Sequence, residues 1–400
     1  MDDAAGRIAT LDILRGLALF GMIVVHFHQK FRLSTEDVPR YVGETWVGWV
    51  VWIGVEEKAW ATFAFLFGAG FAVLLRRLEM RGQPVVALYL RRLAVLFLIG
   101  AALYATTGFV VLQEYALWGV ALLFVRKWST RWLLVIAVVA AAGWAIVPLA
   151  TGLHAWVTLG REGADAAAQS GADRVMTAMP PAQTYLELVM RRLRAMPANY
   201  TQWGVLIPGS SFTLFIAGLL AVRHGVFDEP QRHVRLIVSA MVLGAVSFAL
   251  AWGVLPYVPV GFAPAQVGVL FTFGLGIVSG QWLAFTYIGA VVLLLAFRER
   301  WLARLAWFGL AGRMALTNYV LQCVVIEFMA SRFGLGLHLR PYYYLLGAVI
   351  LFASQLLLAS CWLSHFRYGP LEWVWRTLTY LRIERIRAQN RPAASAPQMS

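Results

Sequence analysis

Leu11-Asp12-Ile13-Leu14-Arg15-Gly16-Leu17-Ala18-Leu19-Phe20-Gly21-Met22-Ile23-Val24-Val25-His26-Phe27 is the stretch whose reading decides the fold. From Leu17 to Val25 every residue is apolar or glycine, and the run approaches the roughly 20 residues a helix needs to cross a bilayer. A lipid-spanning segment must satisfy its own backbone, which leaves helices or closed barrels, and barrel-type alternation is absent here. No small-x-small cleavage site follows, and Phe27-His28-Gln29-Lys30-Phe31-Arg32 comes next, so the run is read as a retained first membrane helix and not a signal peptide.

Further runs of the same kind extend along the chain: Trp60 to Leu75, Leu90 to Thr107, Leu112 to Val125, Leu133 to Leu149, Val205 to Val222, Leu236 to Leu255, Trp282 to Phe297, Met314 to Met329 and Leu345 to Leu363. The expected fold is therefore all-α, a polytopic transmembrane helical bundle of about ten membrane helices. Composition agrees: 60% of residues are hydrophobic and only 14% charged, outside the range of soluble domains. Seventeen Trp, 14 Tyr and 24 Phe suit a chain with two water–lipid interfaces.

A net charge of +14 would point to nucleic acid in a soluble protein. Many arginines instead fall in short inter-span loops, Arg76 to Arg92, Arg126 to Arg131, Arg223 to Arg235 and Arg298 to Arg304, which share one side if the ten spans are right. The positive-inside rule makes that side cytoplasmic. The basic segment Arg367 to Arg391 falls there too, so both termini are expected in the cytoplasm and the protein in the inner, cytoplasmic membrane, with no nucleic-acid partner. Residues 1–391 read as one integral membrane domain and 392–400 as a disordered tail. Within it, 151–202 reads as an extracytoplasmic loop carrying an amphipathic interfacial helix around Leu186 to Arg194. Val260 to Ile277, apolar and glycine-rich, is either re-entrant or an added element leading into the Trp282 helix. Cys323 and Cys361, the two cysteines, lie in apolar runs and read as buried packing residues.

Ionisable residues inside a span cost on the order of 3 kcal/mol by insertion scales, and so mark candidate sites. Asp12 and Arg15 are one turn apart and form a natural pair. His26 lies eleven residues beyond Arg15, roughly 16 Å along the axis and on a similar face. An imidazole is suited to removing a proton near neutral pH, which makes His26 a candidate general base; the plainer alternative is an imidazole bonded to a backbone carbonyl or placed at the outer interface. Glu56-Glu57-Lys58 reads as a second polar cluster or as an interfacial anchor with Lys58 snorkelling. Asn318, Tyr319, Gln322 and Glu327 form a third, for which interhelical hydrogen bonding is the simpler role. Phosphate-binding GxxxxGK, HExxH and dinucleotide patterns are missing, and no metal site stands out.

Several segments together resemble the YeiB-like bacterial membrane proteins, a family labelled as a domain of unknown function. They are Gly312-Arg313-Met314-Ala315-Leu316-Thr317-Asn318-Tyr319 with Gln322, and Phe366-Arg367-Tyr368-Gly369-Pro370-Leu371-Glu372-Trp373-Val374-Trp375-Arg376 with Thr379-Tyr380. Further matches are Leu11-Asp12-x-x-Arg15-Gly16, Lys58 with Leu66-Phe67-Gly68-Ala69-Gly70-Phe71, Arg91-Arg92, and Tyr115-Ala116 with Gly119, so the likeness covers essentially the whole chain. A Gly-Asp step that relatives often carry before the Tyr-Ala pair is absent, and Glu114 is the acid that stands nearest.

The opening helix also resembles those of acyltransferase family 3 and the heparan-α-glucosaminide N-acetyltransferases. The former is recognised by an Arg and a His ten residues apart in the first helix, a spacing that Arg15 and His26 meet. That resemblance implies transfer of an acyl group, acetyl above all, from cytoplasmic acyl-CoA to a hydroxyl or amine of a glycan, lipid or small molecule. Catalysis would fall to His26, with Arg15 and Asp12, and donor binding to Arg91, Arg92, Asn318 and Tyr319. A transporter or lipid exporter using the same buried polar groups is the alternative; it calls for repeated, interrupted helices, and Phe271 to Gly280 has no clear mate. Small residues such as Gly68 and Gly70 permit close helix packing, and a homo-oligomer stays open.

Overall fold

A computed structural model describes residues 2–31, 45–109, 111–143, 154, 157–158, 182–202, 208–254 and 265–386. The tail at 392–400 and most of the loop between 151 and 181 lie outside the described residues. Within them the secondary structure is helical, with no β-strand. The helices are α1 (Asp2–Phe31), α2 (Thr45–Val51), α3 (Glu57–Met80), α4 (Val85–Thr107), α5 (Val111–Val125), α6 (Thr130–Gly143) and α7 (Tyr185–Gln202). They continue with α8 (Pro208–Arg223), α9 (Val234–Val254), α10 (Ala265–Phe297), α11 (Glu299–Arg313), α12 (Ala315–Ala330), α13 (Pro341–His365) and α14 (Pro370–Tyr380).

Each of the ten expected segments overlaps a helix, although 144–149, 205–207 and 255 lie outside the described residues. Among the described residues, six stretches are long and apolar enough to cross a membrane, and a seventh if α11 and α12, bent by 74° at Met314, make one broken span; α5, α6 and the apolar part of α8 are shorter. The protein is thus an all-helical membrane protein with six or seven clear candidate spans. The glycine-rich stretch left open above joins its neighbour, since α10 runs unbroken for 33 residues, about 50 Å.

Burial separates the helices into two kinds. The α1 span is 72% buried inside the protein and that of α3 67%, whereas α4 and α13 reach 22% and α9 17%. Hence α1 and α3 are the axis of the bundle, and Val242, Leu250, Val349 and Leu357 on the outer helices face outward. Lipid tails are as apolar as leucine, so association in a membrane rests on close packing and polar contacts and not on water exclusion. The α1–α11 crossing shows how close. A Cβ on Gly312 would run into the Asp12 carbonyl oxygen, and one on Gly16 into the carbonyl oxygen of Phe308. Gly68 makes the same kind of approach to Phe215 where α3 meets α8.

Two readings of single residues change. Cys323 is buried, but Cys361 is exposed on α13, because that helix presents only a narrow face to the bundle. Lys58 is buried too deeply to snorkel: it is 3% exposed, with its Nζ 4.9 Å from the Phe248 ring centre. The chain reaches it through a π-helical turn, Trp52–Glu56, whose last residue accepts a hydrogen bond from Gln29 Nε2 at 2.9 Å.

Candidate functional site

Because α1 is surrounded by protein, its polar residues form a ladder inside the bundle, with Asp12 and Arg15 at one level and His26 and Lys30 at another. Arg15 Nη1 lies 2.6 Å from Asp12 Oδ1, the pair that one-turn spacing predicts. Arg77 and Arg313 are within electrostatic range of Asp12, and Arg376 and Arg15 within range of Arg92. This end of the bundle therefore gathers more positive charge than Asp12 can neutralise. The Arg92 guanidinium is stacked 3.5 Å from the Trp375 ring centre, and Trp375 Nε1 donates to the Arg92 carbonyl at 2.8 Å. Nearby, the Tyr89 hydroxyl is buried without a hydrogen-bond partner among the described residues. Arg91, one position before Arg92, is exposed and turned away from this cluster by about 100° of helix.

His26 is 1% exposed. Its Nδ1 is 3.4 Å from Gln322 Nε2 and 3.7 Å from Cys323 Sγ, both on α12. The Phe109 ring centre lies 4.1 Å from that of the imidazole, and the Tyr319 ring 5.6 Å away, edge-on. Two polar atoms in this shell lack a partner of ordinary geometry among the described residues: Gln322 Oε1 and Tyr319 Oη, the latter beside the weakly polar Cys323 thiol. Buried polar atoms are nearly always paired, so these two stand out beside the one buried histidine.

One turn beyond His26, Lys30 Nζ is 2.6 Å from Glu327 Oε2, and Arg192 Nη2, from α7, is 2.7 Å from Glu327 Oε1. Lys30 also donates to the Thr107 carbonyl at 3.1 Å, and Arg192 to that of Thr106, so both cations cap the carbonyl end of α4. Gly108 ends that helix at φ +84°, in the left-handed region, and the Arg192 guanidinium fills the space a side chain would take.

The carboxy-terminal segments meet across the break at Met314. Glu372, on α14, accepts from the Leu316 N–H at 2.7 Å, the Thr317 N–H at 3.0 Å and the Thr317 hydroxyl at 2.5 Å. It thereby caps the free amino end of α12, where a negative charge is favoured. Burial pushes the Glu372 carboxyl above the usual glutamate range, while its hydrogen bonds to Thr317 pull the other way. Asn318 is committed nearby: its Nδ2 donates to the Ala311 carbonyl at 3.1 Å, and its own carbonyl accepts from Gln355 Nε2 at 2.9 Å.

The structure thus brings His26 together with Tyr319 and Gln322, and Asp12 with Arg15 and the neighbourhood of Arg92. Arg91 is left outside, and Asn318 is tied across the helix break. Phe109 and Arg192 escaped sequence reasoning because each comes from a distant segment. Lys30 carried a signal, its one-turn spacing from His26. Among the described residues no group of three or more His, Cys, Asp or Glu is placed to hold a metal.

Comparison with known proteins divides the chain in two. Residues 221–382 match a family described as a protein of unknown function, DUF418, and residues 7–168 match the catalytic part of heparan-alpha-glucosaminide N-acetyltransferase. An uncharacterised protein of Escherichia coli K12, YeiB, is 40% identical over 68 residues, 17% of this chain and 18% of that one. Over those segments the chain is similar to YeiB and to the DUF418 family. Bacillus subtilis YxaH, also uncharacterised, is 29% identical over 398 residues, 94% of each chain. An uncharacterised 39.9 kDa protein of Bacillus acidopullulyticus is 27% identical over 381 residues, again 94% of each. No solved structure matches the chain. This membrane protein therefore resembles, over residues 7–168, the catalytic part of an acetyltransferase, and that matched region contains Asp12, Arg15, His26, Arg91 and Arg92.

Proposed function

We propose that the protein is a transmembrane acyltransferase that moves an acyl group, acetyl above all, from cytoplasmic acyl-CoA to a hydroxyl or amine of a glycan, lipid or small molecule. The observation that carries this reading is His26, buried on the same helix as the Asp12–Arg15 pair and beside Tyr319 Oη and Gln322 Oε1, neither of which has a partner of ordinary geometry among the described residues. In this reading the short helices α5, α6 and α8 also cross, which gives ten passes with both termini in the cytoplasm of a bacterial inner membrane. The arginine-rich loops then fall on the cytoplasmic side, together with the Arg15–Arg92 end of the site.

The chemistry follows the ladder. Donor phosphates meet Arg15, Arg92 and Arg376, for which guanidinium forks are well shaped. A half-turn of the Gln322 amide lets Oε1 accept from His26 Nδ1–H, which satisfies the orphan oxygen and leaves Nε2 as the basic nitrogen. That nitrogen takes the acceptor's proton as the acceptor oxygen or nitrogen bonds to the thioester carbonyl carbon. Tyr319 Oη donates to the oxyanion that forms. The carbon–sulfur bond then breaks, and the departing thiolate recovers the proton from His26 as the free CoA thiol. Asp12 holds Arg15 in place.

The test is binding and hydrolysis of acetyl-CoA by the purified chain in detergent, with Arg15→Ala and His26→Ala at matched folding. Saturable binding with turnover lost in His26→Ala is the expected result. Absence of binding for acetyl-CoA and longer acyl-CoAs by well-folded protein sinks the donor assignment and moves transport to the front.

A further inference from the structure

At the end of the ladder away from Arg15, a cleft of about 380 Å³ is lined by Lys30, Arg192, Glu327 and Arg332, with Ala330 and Phe333 among its apolar walls. Three cations against one carboxylate leave it with a surplus of two positive charges. Both oxygens of Glu327 are already taken, one by Lys30 and one by Arg192. Arg332 makes no ion pair with Glu327; it donates to the Ala182 carbonyl and lies 4.8 Å from the Phe333 ring centre. A surplus of this kind in a partly apolar concavity is an anion site, since the guanidinium and ammonium donors gain most from a charged acceptor in a poorly hydrated setting.

The cleft adjoins His26. Lys30 follows it by one helical turn, about 6 Å along α1, and Glu327 follows Cys323 by one turn on the facing helix. A single ring separates the two levels: Phe109 lies against the imidazole, and Lys30 Nζ sits 5.1 Å from the same ring centre. The end of α4, two residues before Phe109, is held by the Lys30 and Arg192 bonds to the carbonyls of Thr107 and Thr106. An anion that draws those two cations toward itself therefore loosens the lid over the base.

We infer that the acyl acceptor is acidic, and that its phosphate or carboxylate docks on Lys30, Arg192 and Arg332 while its hydroxyl or amine passes Phe109 to His26. The inference rests on the acyl-transfer reading, and names the acceptor's chemical class. Glu327 is the internal stand-in for that anion, so it competes with the acceptor.

The experiment is equilibrium binding of inorganic phosphate and of glucuronate to the full-length chain in detergent, with neutral glucose as the control. A second arm counts retained phosphatidylglycerol against phosphatidylcholine in mixed nanodiscs. Arg332→Gln should weaken anion binding about tenfold, the scale of one charge-assisted contact, and Glu327→Gln should strengthen it several-fold. Opposite signs in two variants cannot come from misfolding alone. Soluble probes bound with this pattern place the anion on a water-soluble acceptor; phosphatidylglycerol retained with this pattern, and soluble probes ignored, places it on a lipid. Affinity for every anion unchanged by both substitutions overturns the inference. Acetyl-CoA hydrolysis, measured on the same samples, reports on the donor reading alone, so the failure of either is told apart from the other.

Discussion

Helices α1 and α9 are both apolar enough to cross a bilayer, with mean hydropathies of 1.6 and 2.1 over their spans, yet 72% of one and 17% of the other is buried inside the protein. Hydropathy finds membrane helices but does not say which are central; the polar residues do. The α1 span carries Asp12, Arg15, His26 and Lys30, groups too costly to leave against lipid, and α9 offers lipid a surface of Val242, Leu243 and Leu250. The ionisable groups of α1 occur at both ends of its span and draw it inward, whereas α9 has Arg235 in its first turn and no ionisable group beyond it, which leaves its length free to line the outside.

Substitutions on the two helices, and on α11 and α14 in the interior, put that contrast at risk. The largest effect belongs to His26→Ala, which should lower acyl-CoA turnover by about 100- to 10,000-fold with folding intact, the usual worth of a general base. Gly312→Val, which strikes the α1–α11 crossing, should cost about 3 kcal/mol, seen as a lower melting temperature and reduced abundance. Next comes Glu372→Ala, which uncaps α12 behind the site and should cost on the order of 1–3 kcal/mol by stranding two N–H groups and a hydroxyl. Leu250→Ala on α9 should change stability by less than about 0.5 kcal/mol, because lipid refills the space. A large loss there would mean that α9 faces protein, a second copy included.

Glu372 also gives a pH signature. Its folded carboxyl is raised by burial, so the stability that comes from holding a proton is complete below the ordinary glutamate pKa and is lost as pH rises through the raised value. Melting temperatures of the native chain should fall across that window, and Glu372→Gln should flatten the slope.

Much of the helix plan was legible because a span leaves a continuous apolar signal. The Asp12–Arg15 pair was legible as well, since both partners lie on one turn. What escaped has a common cause: Lys30 to Glu327, Arg192 to Thr106 and Glu372 to Leu316 join segments far apart in the chain, and no local pattern encodes a meeting between helices. The break at Met314 was hidden for a related reason, because no proline marks it. Two capping hydrogen bonds from another helix allow the chain to turn there.

The lengths of two helices have an effect on the membrane itself. Tyr319 and Gln322 sit on α12, a rod of 16 residues, and Glu114 and Tyr115 on α5, of 15 residues. Those rods measure about 24 and 22 Å, against a hydrocarbon slab of roughly 30 Å. A bilayer meeting such short elements pinches to match them, and headgroups and water sink toward the protein on both sides. If α5 and α12 cross as the acyl-transfer proposal has it, the membrane is thinned beside His26, and an acyl donor bound at one face has several ångströms less of oil between it and an acceptor at the other.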